Sequence, residues 1–168
     1  MTIAVKIRAI ALVMFFIGTF TTTTTIAADE SNGWYGEINY TRMDIDDIAT
    51  LGTVGLTVGR DFTNNIAAEF QYGTSFGSDI VSGVKLSIDE YYGLFLKPNF
   101  QLNDKINAFV KLGYLDIAVK AGSAGAEGNE FAYGAGLEFD LSDKSYATIA
   151  YAGLEDTNSL QLSIGIQF

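Results

Sequence analysis

The stretch from 158 to 168, NSLQLSIGIQF, alternates strictly between apolar side chains and polar or small ones. Its apolar positions are Leu160, Leu162, Ile164, Ile166 and Phe168. Because successive side chains of a β-strand point to opposite faces, this stretch predicts a strand with one fully apolar face. Such a strand at an open sheet edge would promote aggregation in water. We therefore expect it to pair with the first strand and close a barrel.

Seven further segments with the same two-residue period precede it, so the sequence predicts eight strands. Their approximate limits are 33–42, 50–60, 66–74, 84–97, 106–115, 130–140, 145–154 and 158–168. Three connections are short turns rich in Asn, Asp and Ser, at 61–65, 102–105 and 142–144. The other connections are longer and polar, among them a Gly/Ala-rich loop at 117–129. Pro98 has no N–H group to donate and is expected to end the fourth strand.

The two faces of the predicted strands differ in composition. One is apolar, and the other is rich in Gly, Ala, Ser and Thr, which suit the narrow interior of an eight-stranded barrel. The charges on this second face are Glu37, Glu69, Lys97, Lys111 and Glu138. We expect them inside the barrel, as structural ion pairs or pore-lining groups, with the apolar face toward lipid. In the fourth strand Leu86 and Ile88 are assigned to the apolar face. The alternative is a soluble barrel or sandwich with the apolar face inward.

Aromatic residues are predicted to form two belts, as a membrane with two polar interfaces favours. At the end with the short turns they are Trp34, Phe62, Phe100, Phe139 and Phe168. At the opposite end they are Tyr40, Tyr72, Tyr114, Tyr133 and Tyr151.

The N-terminal residues have the order of a cleavable secretory signal peptide, with a short basic region and an apolar run at 9–20. This run is shorter than the ~20 residues that a membrane-spanning helix needs. Cleavage is expected after Ala28, with cleavage after Ala27 and a retained anchor helix as alternatives. The predicted domains are a signal peptide at 1–28 and a barrel domain at 29–168.

Charge and composition narrow the functional classes. The net charge of −10 becomes −12 once Lys6 and Arg8 leave with the signal peptide, which argues against a nucleic-acid partner. The chain has no His, the commonest general base and metal ligand, and no Cys. A serine nucleophile would therefore lack its usual base. We predict that the protein is not an enzyme and has no catalytic residues, no cofactor and no metal.

Two sets of carboxylates offer alternatives to that prediction. Glu69 and Glu138 could act as an acid–base pair, although an interior ion-pair network is the simpler interpretation. Asp44, Asp46 and Asp47 could bind Ca²⁺, but they lack the glycine and the distal Glu of an EF-hand loop, so a solvated acidic loop is preferred.

Five stretches together resemble the small outer-membrane β-barrel domain family of porin-like proteins from Gram-negative bacteria. They are WYGEINY, YYGLFLKPNF, FVKLGY, FAYGAGLEF and the terminal LQLSIGIQF. The resemblance covers Gly33 to Phe168 and implies an all-β, eight-stranded antiparallel up-and-down transmembrane barrel in the cell outer membrane. It also implies that the apolar residues of the last strand act as an assembly signal. The partners expected are outer-membrane lipid and the barrel assembly machinery, and the chain is expected to be a monomer.

The function expected is that of an integral outer-membrane protein with a structural or surface-interaction role, exposing acidic external loops. A narrow porin-like ion channel is the alternative, because inward glycines could leave a water-filled path. A soluble periplasmic ligand-binding barrel is the third hypothesis.

Overall fold

The structure, a computed structural model, describes residues 33–45, 49–81, 83–154 and 157–168. The predicted signal peptide lies outside the described residues. Within them the chain is all-β, with nine strands and no helix. The strands are β1 (Trp34–Ile45), β2 (Ala49–Thr63), β3 (Ile66–Ser75), β4 (Asp79–Val81), β5 (Val84–Asn103), β6 (Ile106–Ala121), β7 (Ala124–Asp140), β8 (Ser145–Leu154) and β9 (Thr157–Gln167). No helix in the described part of the chain is long and apolar enough to span a membrane.

All strands except β4 form one closed antiparallel barrel. The sheet order is β3-β2-β1-β9-β8-β7-β6-β5, and a ladder between β3 and β5 completes the ring. The last strand pairs with the first from Tyr35 opposite Gln167 to Ile45 opposite Thr157. The predicted eight-stranded barrel, closed by the terminal strand, is confirmed. We call the end with the turns after β2, β5 and β7 the turn end, and the opposite end the loop end.

The apolar rows of the strands face outward. Ile38, Leu94 and Ile164 are each about two-thirds exposed, at 69%, 67% and 65%. Polar residues between such positions, including Glu37 and Ser163, are buried. Because the apolar rows do not meet in a common core, the soluble barrel hypothesis is wrong.

The prediction of a long loop at 117–129 is wrong. The β6–β7 ladder continues without a register shift to Ala121 opposite Ala124, which leaves a turn of two residues. Gly122 in this turn has a φ of +63°, a conformation that glycine adopts without steric cost. A Gly- and Ala-rich sequence holds an extended conformation here because β6 is also paired with β5 as far as Ala121.

Two predictions about the fourth strand are also wrong. Pro98 does not end β5, because Pro98 lies opposite the first residue of β3 and the β5–β6 ladder skips it, so no neighbour requires its missing N–H. Leu86 and Ile88 lie inside the barrel, not on its outer face. A register shift between Ile88 and Glu90 inserts one residue in β5, and this reverses the facing of the β5 residues that precede it.

Candidate functional site

The lower half of the lumen, toward the turn end, contains a group of charges from five strands, which we call the ionic cluster. Its members are Glu37, Glu69, Lys97, Lys111 and Glu138. The Lys97 ammonium lies 3.0 Å from a Glu138 oxygen, 3.4 Å from Glu69 and 4.0 Å from Glu37. The Lys111 ammonium lies 2.6 Å from the second oxygen of Glu69. All five predicted interior charges are thus brought together, because each occupies an inward position of its strand.

Aromatic and amide side chains complete the ionic cluster. Tyr35 donates a hydrogen bond to Glu69 at 2.9 Å, and Tyr146 donates one to Glu37 at 3.0 Å. Asn107 donates a longer one, 3.5 Å, to Glu138. The Lys97 ammonium lies 4.7 Å from the centre of the Phe109 ring and 5.1 Å from that of Tyr35. Each contact is favourable for a charge removed from water.

Sequence reasoning missed these partners of the charges. A signal was present for two of them, because Tyr35 and Phe109 occupy the same alternating positions as Glu37 and Lys111 on their strands. Tyr146 lies on β8, which has no charged residue. Each interior ring also lies opposite a glycine of the neighbouring strand, which makes room for it. The pairs are Tyr35–Gly59, Tyr91–Gly73, Phe95–Gly113, Phe109–Gly136 and Tyr146–Gly165. The space that the inward glycines were predicted to leave in the lumen is therefore filled by aromatic rings.

The upper half of the lumen, toward the loop end, is closed by a group of buried apolar residues that we call the apolar plug. Its members are Met43, Leu51, Ile88, Tyr91, Phe95, Leu115, Ala132 and Leu154. Partly buried Ile45, Leu86 and Ile117 pack against it. The sequence prediction of a lumen lined by small residues and ions did not anticipate this group.

Little space remains between the two groups. The cavity between the plug and Lys111 has a volume of about 40 Å³, room for about one water molecule. A larger polar vestibule of about 260 Å³ opens at the turn end, below Lys97, and includes Asp61, Asn99 and Gln101. Among the described residues, the lumen is therefore open to solvent from the turn end and occupied by apolar side chains above.

The interior carboxylates act as ion-pair partners. Glu69 and Glu138, considered as an acid–base pair, both contact Lys97. No group of three His, Cys, Asp or Glu side chains among the described residues could hold a metal ion.

Of the acidic loop considered for Ca²⁺, only Asp44 is described, and Asp46 and Asp47 lie outside the described residues. Asp44 accepts a 2.7 Å hydrogen bond from the Thr50 hydroxyl and pairs with Arg42 at 3.4 Å. It lies on the exposed rim, where the Thr50 hydrogen bond, and to a lesser extent Arg42, lowers the pKa of its carboxyl.

The aromatic residues assigned to belts are mostly exposed on the outer surface. The exposed ones are Trp34, Phe62, Phe100 and Phe168 toward the turn end and Tyr40, Tyr72, Tyr114, Tyr133 and Tyr151 farther toward the loop end. Phe139 is partly buried. Their role as interfacial anchors stays a prediction.

The apolar residues assigned to the assembly signal also face outward, from Leu160 to Phe168. The backbone N–H of Phe168 donates a 3.0 Å hydrogen bond to the carbonyl of Trp34, so the terminal residue is held against the start of β1.

Comparison with solved structures finds barrels of the same fold. The N-terminal β-barrel domain of Pseudomonas aeruginosa OprF matches with a TM-score of 0.59 at 16% identity, covering 80% of this chain and 97% of that one. Neisserial surface protein A matches with a TM-score of 0.61 at 12% identity, covering 82% and 99%. Ail, the attachment invasion locus protein of Yersinia pestis, matches with a TM-score of 0.51 at 17% identity, covering 80% and 94%.

Comparison with curated proteins gives no match. The family model of the outer membrane protein beta-barrel domain matches residues 9–168, nearly the whole chain. The chain therefore belongs to the outer membrane protein beta-barrel domain family and is a protein of the cell outer membrane.

Proposed function

We propose that this protein is a sealed outer-membrane barrel whose role is structural or lies in interactions at the cell surface. The observation that carries the proposal is the filling of the lumen. The ionic cluster occupies its lower half, the apolar plug occupies its upper half, and a cavity of only about 40 Å³ lies between them. An ion crossing this barrel would have to leave water and pass the mostly apolar side chains of the plug, which is costly.

Recording of single-channel currents in planar lipid bilayers tests the proposal. Purified wild-type protein is expected to give no conductance steps above those of a lipid control. The matched variant combines Leu51→Ala and Leu115→Ala, which removes two plug side chains while leaving the ionic cluster intact. It should conduct if the plug is the seal. Stable steps from the wild-type protein would contradict a sealed barrel.

A narrow channel is the second candidate function, and the polar vestibule of about 260 Å³ at the turn end favours it. The vestibule reaches as far as buried Lys97, so opening would require movement of the plug and of side chains in the ionic cluster. If wild-type protein conducts, Lys97→Met should change the preference between cations and anions. An unchanged preference would mean that the current does not pass the ionic cluster.

We propose further that the protein has no catalytic activity. The chain has no His or Cys, and each carboxylate of the ionic cluster contacts a lysine, so none is placed as a general base. Release of fatty acid from phospholipid or lipopolysaccharide vesicles measures the lipid-hydrolysing activity that a membrane barrel could have. We expect none above a buffer control.

The proposed partners are outer-membrane lipid and the barrel assembly machinery, with the chain itself a monomer. The outward apolar rows support the first, and the terminal strand, exposed from Leu160 to Phe168, supports the second. Deletion of Phe168 should reduce the fraction of protein inserted in the outer membrane, and light scattering in detergent should give the mass of one chain.

A further inference from the structure

The upper part of β7 has a strand partner on one side only. The β6–β7 ladder begins at Ala124, whereas the β7–β8 ladder begins at Tyr133 opposite Gly153. Among the strands that the structure describes, none pairs with residues Ala124–Ala132 on the side away from β6. We call this segment the β7 edge. With about 3.4 Å per residue, it is roughly 30 Å of strand that rises past the end of β8.

The β7 edge is supported by a sheet and is not an isolated hairpin. β6 pairs with one side of β5 up to Leu86 opposite Ala121. β4 pairs with the other side of β5, so the sheet has the order β4-β5-β6-β7 here. The β4 side of this sheet is partly covered, because the Asp79 carboxylate accepts a hydrogen bond from the backbone N–H of Thr50 in β2. On the opposite side, residues 124–129 of the β7 edge are exposed.

Some features that often protect an exposed edge, namely Pro, Lys and bulges, are absent from the β7 edge, whose charged residues are both acidic. Its sequence, AGAEGNEFA, contains no Pro, Lys or Arg. The β6–β7 register has no bulge that would twist the edge away. On the side away from β6, its odd-numbered residues therefore present backbone groups in a regular row that no described strand pairs with.

The hydrogen-bonding direction of each edge residue follows from the ladder. The N–H of Asp140 donates to the Lys105 carbonyl of the β5–β6 turn, so even-numbered residues of β7 bond toward β6. Odd-numbered residues bond toward β8 where β8 is present. On the β7 edge those residues direct N–H and C=O groups to the free side, and they are Gly125, Glu127, Asn129 and Phe131.

The outer face next to the edge is acidic. Ala118 of β6 lies between Glu127 of β7 and Glu90 of β5 in the two ladders. Asp116 of β6 lies on the same face, opposite Tyr92 of β5. In the described residues no Lys or Arg forms an ion pair with these three carboxylates. A surface pocket of about 310 Å³ adjoins the edge and includes Gly125 and Glu127.

The one lysine at this pocket, Lys120, is already held by Asp89 at 2.6 Å. Charge and shape therefore fit a long basic side chain from an added strand.

A second copy of the chain fits the edge poorly. Copies inserted in one membrane have the same orientation, so their β7 strands could pair only in parallel. Such a pair would also bring two acidic faces together, which like-charge repulsion opposes.

We propose that the β7 edge, residues Ala124–Ala132, is a docking site for an extended basic segment of another protein, which adds as a further strand beside β7. The inference rests on the proposed surface-interaction role and specifies its partner. Backbone hydrogen bonds hold the segment, and its Lys or Arg side chains face Glu127 and the acidic surface beyond.

The probe is a capped nine-residue peptide of alternating Val and Lys, with a Val/Glu peptide of the same length as control. The protein is used in lipid nanodiscs, with binding followed by fluorescence anisotropy and amide hydrogen exchange followed by NMR. We expect the Val/Lys peptide to bind at least tenfold more tightly than the Val/Glu peptide. Exchange should slow at the odd-numbered edge residues, whereas their even-numbered neighbours, already bonded to β6, should change little.

Matched variants separate strand addition from general attraction between charges. Asn129→Pro removes one donor on the free side without removing a bond to β6, and it should weaken binding at least tenfold, whereas Asn129→Ala should not. Glu127→Lys should weaken binding of the Val/Lys peptide about threefold to tenfold, whereas Asp79→Lys at the opposite edge should have a smaller effect.

Equal binding of the two peptides, or binding without slower exchange at the edge, would overturn the proposal. Conductance in bilayers tests the sealed barrel, whereas peptide binding tests the docking site. A conducting protein that binds the peptide would contradict only the first proposal, and a non-conducting protein that does not bind it would contradict only the second.

Discussion

The two halves of the lumen are built from the same alternating strand positions but are closed by opposite chemistry. In β5 the change takes place between adjacent inward residues, because Phe95 belongs to the apolar plug and Lys97 to the ionic cluster. In β1, Glu37 and Met43 are separated by the inward Asn39 and Thr41, which are buried and polar. The period of a strand therefore specifies which residues point inward and leaves open how they fill the space.

The difference has an energetic consequence. A plug side chain stabilises the barrel through its volume, and its neighbours can relax partly when it is shortened. A charge in the ionic cluster stabilises the barrel only while its partners are present, because an unpaired buried charge is costly. Single substitutions should therefore affect the two halves differently, above all in their dependence on pH.

The largest effect is expected for Lys97→Met, which leaves Glu37, Glu69 and Glu138 near one another without the central ammonium. Loss of one partner from a buried ion pair costs about 3–5 kcal/mol. Urea unfolding in lipid vesicles at neutral pH measures the loss. Acid should reduce the difference from wild type, because protonated carboxyls no longer repel each other.

The control for this variant is Lys144→Met in the exposed turn after β7, which should change stability by less than about 0.5 kcal/mol. A Lys97→Met variant as stable as wild type at neutral pH would show that the ionic cluster contributes no net stability.

The next effect is expected for Leu115→Ala in the apolar plug. Shortening a buried Leu to Ala costs about 2–5 kcal/mol, because packing is lost and a cavity remains. The same urea experiment at two pH values measures it. Unlike Lys97→Met, this loss should not change with pH. A loss that shrinks in acid would mean that the plug and the ionic cluster are coupled.

Much of the barrel could be predicted from the sequence because the two-residue period is a local property. The terminal alternation from Leu160 to Phe168 predicts both a strand and its outward face, and the structure shows that strand pairing with β1. The same parity predicts that Glu37 and Lys97 point inward. Their contact could not be read from the sequence, because it depends on how far neighbouring strands are offset around the ring.

Other features depend on pairing between distant segments. The alternation after Ile88 is interrupted by Glu90, but this local break does not show that a residue is inserted, so the inward facing of Leu86 and Ile88 was not predicted. The segment 117–129 has a composition typical of loops, yet pairing of β6 on both sides keeps much of it extended. The apolar plug depends partly on that inserted residue, which explains why sequence reasoning missed it.

A smaller effect is expected for Gly59→Ala, which tests the fit between interior rings and glycines. A Cβ at this position would meet the ring of Tyr35, whose hydroxyl bonds Glu69. Crowding of a packed interior typically costs about 1–3 kcal/mol. The matched control is Gly128→Ala in β7, where a Cβ would meet no atom within 4 Å. Equal stability of the two variants in urea would show that Tyr35 moves aside freely.

The smallest effect concerns the exposed pair of Asp44 and Arg42, which provides a reference for the buried cluster. The Thr50 hydrogen bond lowers the pKa of the Asp44 carboxyl, so its contribution to stability is present above the ordinary pKa of Asp and is lost as the pH falls through the lowered value. Thr50→Val should return the pKa toward the ordinary value, as measured by NMR titration of the carboxyl carbon. Neutral-pH stability should hardly change, because exposed pairs are screened by water. A large loss of stability in this variant would show that the rim, and not only the lumen, holds the barrel together.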